Sequence, residues 1–254
     1  VDLPVIGDAR KVLEALLQKE LKCVPRGEWW TTAREVAAKE AVRLTAVQLA
    51  DNKGLTMAMV VQRISMLAGN DKIVVTDVGQ NQMFAARFSY FANKRSWISS
   101  GGLGTMGYGL PAAIGAKVAN PDKTVIVFMG DGGFQMNMQE LGTILQSKIG
   151  VKMVLMNNSW LGMVRQWQEL FYDKRYSFTH LVNPDFQRIA QAYDIPSARV
   201  TSFDELDDAI ERMLAAEGAF LLEACVGDGE NIFPMIPAGA TIDKIFMDKD
   251  FTQL

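Results

Sequence analysis

Cysteine is the first scarcity. Cys23 and Cys225 are the only two among 254 residues, and neither belongs to a Cys-x-x-Cys pair. A disulfide framework or zinc site is therefore disfavoured, and a reduced cytoplasmic setting is expected. Charge of one sign is scarce too: 26 basic against 29 acidic residues leave a net −3, too balanced a surface to bind nucleic acid or an anionic membrane. No apolar run reaches the roughly 18 residues of a membrane span, and the start "VDLPVIGDARK" lacks the character of a signal peptide. The single histidine, His180, sits in "YSFTHLVNPDF" beyond the helical stretch, and a Ser–His–Asp mechanism has little support. The missing initiating Met fits processing or a piece of a longer chain.

What is present is enough apolar material, 49% of residues, for one large α/β domain or one domain with a fragment of another. Residues 8–20 place Leu13, Leu16 and Leu17 at helical spacing. The stretch "LKCVPRGEWWTT" then reads as a connector, residues from Thr32 to about Asp51 as helix-forming, and Val60, Val61, Ile64 and Leu67 mark another helix. Five short apolar strands follow, alternating with helical segments: "KIVVTD" (72–77), "SWIS" (96–99), "TVIVFM" (124–129), "VKMVLMN" (151–157) and "AFLLEACV" (219–226). That alternation predicts an α/β fold, a parallel sheet with helices on both faces. The expected organisation is the end of a preceding domain at 1–20, a linker and packing helix at 21–54, the main domain at 55–230 and a carboxyl-terminal tail at 231–254.

One stretch carries chemistry. Gly130-Asp131-Gly132-Gly133 ends an apolar strand just before a helix expected to start near Phe134, the place where open parallel sheets bind ligands. Glycine permits close backbone approach and a helix start offers N–H groups to an anion. A phosphate alone would not tolerate Asp131, since like charges about 4 Å apart repel by roughly 4 kcal/mol at an effective dielectric near 20. A divalent cation resolves the conflict, because Mg²⁺ takes one or two protein oxygens and completes its shell with phosphate and water. The next strand ends in Asn157-Asn158, and a right-handed crossover makes the two strand ends neighbours. Asp-Gly or Asn-Asn-Ser alone reads as an ordinary turn; their pairing across one crossover points to a shared ion at Asp131 and Asn158.

Those residues, with "TDVGQNQMFAARF", "WISSGGLGTMGYGLPAAIGAK" and "NNSWLGMVRQWQELFY", resemble the thiamine-diphosphate enzymes over roughly residues 55–240, and acetohydroxyacid (acetolactate) synthases above all. The resemblance implies that Asp131, Asn158 and the carbonyl of Trp160 ligate Mg²⁺. It implies that Gly79, Gln80 and Asn81 help seat the diphosphate, with Gly130, Gly132, Gly133, Leu161 and Gly162 around it. Met106 resembles the apolar wedge that bends the cofactor, the carbonyl of Gly104 faces its aminopyrimidine, Met163 lines the same pocket, and Trp167 sets the preference for the acceptor 2-ketoacid. Asn81 departs from the family, which usually has His there; an amide still donates to a phosphate, but a role needing a cationic ring does not carry over.

By the same resemblance, the reaction is loss of CO2 from pyruvate and condensation with a second 2-ketoacid, in branched-chain amino-acid synthesis, with the cofactor as electron sink. No catalytic residue is expected in this chain, since the family's activating glutamate lies on an amino-terminal domain of a neighbouring subunit. The implied assembly is a homodimer or homotetramer, with FAD and a regulatory subunit as further family partners. The sequence thus reads as a carboxyl-terminal half, inert by itself. Two alternatives stay open: a sister 2-ketoacid decarboxylase or oxidase, and a non-catalytic diphosphate-binding module. Gly102, Gly104 and Gly107 also satisfy G-x-G-x-x-G, but Asp122 precedes the next strand instead of ending it, so a dinucleotide site fails. Met106, Met163 and Trp167 are residue types that ordinarily fill cores.

Overall fold

The computed structural model describes residues 2–20, 22, 24–49, 54–241 and 244–247, with side chains of 39–49 left aside. Cys23, the end of the linker and the last residues of the tail lie outside the described residues. The chain forms two compact units, Val1–Ala46 and Val47–Leu254. In the first, helix α1 (Ala9–Leu17) starts where the Asp8 carboxylate caps the Lys11 N–H. It buries none of its residues, so Leu13, Leu16 and Leu17 stay exposed. Helix α2 spans Gly27–Leu49, starting five residues before the expected Thr32. Its first turn therefore takes up Glu28, Trp29 and Trp30 from the supposed connector.

The second unit begins with α3 (Met57–Leu67), capped by Thr56. The rest alternates: β1 (Lys72–Thr76), α4 (Gln80–Phe88), β2 (Trp97–Ser99), α5 (Gly109–Ala119), β3 (Thr124–Gly130), α6 (Asp131–Asn137), α7 (Leu141–Ser147), β4 (Lys152–Asn157), α8 (Gly162–Phe171), α9 (Phe186–Ala192), β5 (Ser197–Val200), α10 (Leu206–Ala215) and β6 (Phe220–Cys225). The six strands form one parallel sheet in the order β2-β1-β3-β4-β6-β5. Near-continuous apolar runs make the central strands because both faces are covered. Val74, Ile126, Phe128, Val154 and Leu222 face a core under α3, α4 and α10. Val75, Val127, Met129, Met153 and Leu221 face the other, under α5, α7 and α9.

Three differences from the sequence expectation matter. Strand β5 is a sixth strand that periodicity does not announce: only Ala198 and Val200 of its four residues are buried, while Arg199 is exposed on the sheet edge. Helix α6 begins at Asp131 itself, not near Phe134, because the strand ends at Gly130 and the chain turns without a loop. The tail also starts differently from a surface segment: Ile232 is buried and hydrogen-bonded to α8. Among the described residues no helix is long and apolar enough to cross a membrane.

Candidate functional site

The sheet register sets the site. Gly130 of β3 pairs with Met156 of β4, so the residues that follow, Asp131 and Asn157-Asn158, leave adjacent strands side by side. Helices α4, α6 and α8 all start at this carboxyl edge. Between them lies a cavity. Gly79, Gln80 and Asn81 line it from the start of α4, and Met106 from the loop before α5. Gly130, Asp131, Gly132 and Gly133 form its β3–α6 side, and Asn158, Trp160, Leu161, Gly162 and Met163 its β4–α8 side. Met57, Val78, Met156 and Val164 complete the lining, and none of these four stood out in the sequence. Two expected residues lie elsewhere: Gly104 is outside the cavity, and Trp167 sits partly exposed in a neighbouring cleft with Gln168, Tyr172 and Arg175, joined through Val164.

Close approach explains the glycines. A Cβ on Gly133 would lie 2.2 Å from Asp77 Oδ1, and one on Gly162 would lie 2.1 Å from Gln80 Oε1. Gly79, at φ 137°, holds a backbone conformation that L side chains rarely adopt. Asp77, buried at the end of β1, accepts the N–H groups of Val78 (2.8 Å), Gly107 (3.1 Å) and Gly109 (2.8 Å). It thereby pins the loop that carries Met106. Sequence reading placed Asp77 on a strand and missed this role; its signal was an acidic residue directly after a buried strand.

Asp131 is 1% exposed. Burial pushes its carboxyl pKa up, against the lowering effect of hydrogen bonds from Asn183 and the Gly132 and Ser159 backbone. A cation beside it would favour the ionised form. Asn158 Oδ1 accepts the Trp160 N–H at 3.1 Å, a turn that brings Trp160 to the cavity. Ser159 takes a left-handed φ of 60° within the same turn. The Trp160 ring packs against Tyr176 and His180, with the Arg165 guanidinium 5.5 Å over it, so His180 acts as packing for this loop.

Gln80 Nε2 donates to Gln166 Oε1 (3.1 Å) and to the Glu230 carbonyl (2.8 Å), while Gln166 exchanges hydrogen bonds with both backbone groups of Ile232. The segment after β6 is thus laced to α4 and α8. Glu230 caps the Met57 N–H at 2.8 Å, and its burial pushes its pKa up to about 7. Asn81, 3% exposed, holds the Val78 carbonyl only at 3.4 Å and leaves Oδ1 without a partner. An unsatisfied buried amide oxygen at a cavity wall is an acceptor that a ligand's donor or a cation would complete. The donor set of a carboxylate, an amide oxygen and backbone carbonyls suits a hard cation such as Mg²⁺, and the glycine cradle leaves room for a diphosphate; the residues present fit both groups.

Residues 77–224 match the family of thiamine pyrophosphate enzymes, over the part described as the C-terminal TPP binding domain. The chain belongs to that family. Curated relatives of this chain include acetolactate synthase large subunits. That of Cyanidium caldarium is 48% identical over 191 residues, 74% of this chain and 32% of the relative. That of Lactococcus lactis subsp. lactis (strain IL1403) is 40% identical over 96% of this chain and 42% of its own length. Escherichia coli (strain K12) isozyme 3 is 38% identical over 98% and 44%. This thiamine pyrophosphate enzyme chain spans less than half the length of these relatives.

Proposed function

We propose that this chain is the carboxyl-terminal, cofactor-binding part of an acetolactate synthase large subunit, joining two pyruvates, or pyruvate and 2-ketobutyrate, with loss of CO2 in branched-chain amino-acid synthesis. The observation that carries it is the meeting of Asp131 and Asn158 at adjacent strand ends in one cavity with Met106 and a glycine cradle. The synthase relatives support the choice among thiamine enzymes. In this reading Asp131, Asn158 and the Trp160 carbonyl hold Mg²⁺, which ties down the diphosphate. Gly79, Gln80 and Asn81 seat that diphosphate, with Asn81 turning its weakly held amide toward it.

Bound thiamine diphosphate supplies the electron sink for decarboxylation. The chain's own residues bind and orient: Met106 wedges the cofactor, Leu161 and Met163 keep water from its reactive side, and Trp167 meets the acceptor at the mouth. A glutamate of a neighbouring subunit's amino-terminal domain would activate the aminopyrimidine, so a homodimer or homotetramer is the working form. The complete enzyme works in the cytoplasm. The unburied apolar residues of α1 support a surface made to be covered.

Pyruvate turnover by the uninterrupted reading frame, with thiamine diphosphate, Mg²⁺ and FAD, tests the proposal against the 254-residue chain. Acetolactate from the longer form alone is the expected result. Acetaldehyde or acetate would move the assignment to a sister enzyme, and turnover by this chain by itself would refute the shared active site. Trp167→Leu is expected to change the choice between pyruvate and 2-ketobutyrate as acceptor.

A further inference from the structure

We propose that Asn183 is a positioning residue that aims the Asp131 carboxylate and the Asn157–Trp160 turn at a divalent cation. This inference rests on the cation site proposed above, although Asn183 does not line the cavity. It lies in the segment between α8 and α9, which is stitched to the turn after β4: Leu161 N–H donates to the Thr179 carbonyl and Leu181 N–H to the Ser159 carbonyl, each at 2.8 Å. Pro184 follows and restricts the Asn183 backbone.

The amide is fully committed. Its Nδ2 donates to Asp131 Oδ2 at 2.7 Å and to Asn157 Oδ1 at 2.9 Å, while its Oδ1 accepts from Gln135 Nε2 at 3.1 Å. Two acceptors on one side and a donor on the other allow one orientation of the amide only. Asp131 Oδ2 is thereby occupied, while Oδ1 accepts the N–H of Gly132 at 3.1 Å. Asn157 Oδ1 also takes the Ser159 N–H at 3.2 Å, which sets the left-handed residue between Asn158 and Trp160. One side chain therefore couples the ligand that follows β3 to the ligands after β4. Asn157 passes the anchoring on to Glu223, which holds Arg199 on the edge strand.

The test is Mn²⁺ binding to the full-length protein with thiamine diphosphate present, followed by electron paramagnetic resonance. Asn183→Leu is expected to weaken Mn²⁺ at least about tenfold, the range in which groups that orient metal ligands act, and to alter the Mn²⁺ line shape. Gln135→Leu, which frees the amide to turn, is expected to weaken it several-fold. Arg199→Met, at the far end of the chain of bonds, should lower the melting temperature yet leave Mn²⁺ affinity within twofold. Wild-type affinity and line shape in a folded Asn183→Leu protein, or in Gln135→Leu should the first fail to fold, would overturn the proposal. So would an equal loss in Arg199→Met, which would mark a merely structural network. Absence of Mn²⁺ binding in the unmodified protein would remove the cation site itself, and this role with it.

Discussion

The two ends of the parallel sheet treat their buried polar groups in opposite ways. At the amino end, Lys72 on β1 gives its ammonium to the Ser65 and Gly69 carbonyls that close α3. Lys152 on β4 gives its own to the Ala216 and Gly218 carbonyls after α10. At the carboxyl end two buried carboxylates, Asp77 and Asp131, and the half-buried Asn157 amide oxygen accept the N–H groups of turns and helix starts. The reason is geometric: a parallel sheet puts the negative ends of its helices at one edge and the positive ends at the other. At the amino end each lysine is spent on two carbonyls. The carboxyl end keeps an unpartnered amide oxygen on Asn81 and a carboxylate whose pKa burial has raised, and that is where the cavity lies.

Removing the acceptor that defines the open end is the strongest way to break this contrast. Asp131→Ala is expected to weaken thiamine diphosphate with Mg²⁺ by at least about a hundredfold, roughly 3 kcal/mol, measured by calorimetric titration of the full-length protein. Gly133→Ala forces a methyl into Asp77. It should cost about 3 kcal/mol of stability through overpacking and loss of the Asp77 bonds, read from denaturant unfolding.

Glu230 sharpens the contrast through pH. Its carboxyl is pushed from 4.5 to about 7, chiefly by burial, so the folded state keeps a proton that the unfolded state releases between those values. Stability from this group is therefore intact below about 4.5 and lost as pH rises to about 7, by at most about 3 kcal/mol. Melting curves across that range should slope downward, and Glu230→Gln should flatten them. At the amino end, Lys152→Met leaves the Ala216 and Gly218 carbonyls without their donor. The expected cost is about 1–2 kcal/mol, with thiamine diphosphate affinity unchanged, and a loss of affinity there would dissolve the distinction between the ends.

Much of this was legible in the residues. The central strands announce themselves because both faces are buried and nearly every position is apolar, as in "TVIVF" and "KMVLM". The Gly130–Gly133 and Asn157–Asn158 motifs are local, so their places at strand ends follow from chain order. Strand β5 was not legible, because a four-residue edge strand with one exposed arginine has the pattern of a loop. Asn183 before Pro184 reads as a turn, and only the fold turns its amide toward Asp131.

By itself, then, the sequence determined the parallel α/β fold, the strand ends that meet, and the carboxylate and amides gathered there, since each depends on spacing over a few residues or one crossover. Tertiary structure alone decided what holds those groups. Asn183 reaches Asp131 across 52 residues, and Glu230 reaches Gln80 across 150. Such bonds depend on how loops pack over a finished sheet, and no local period records that.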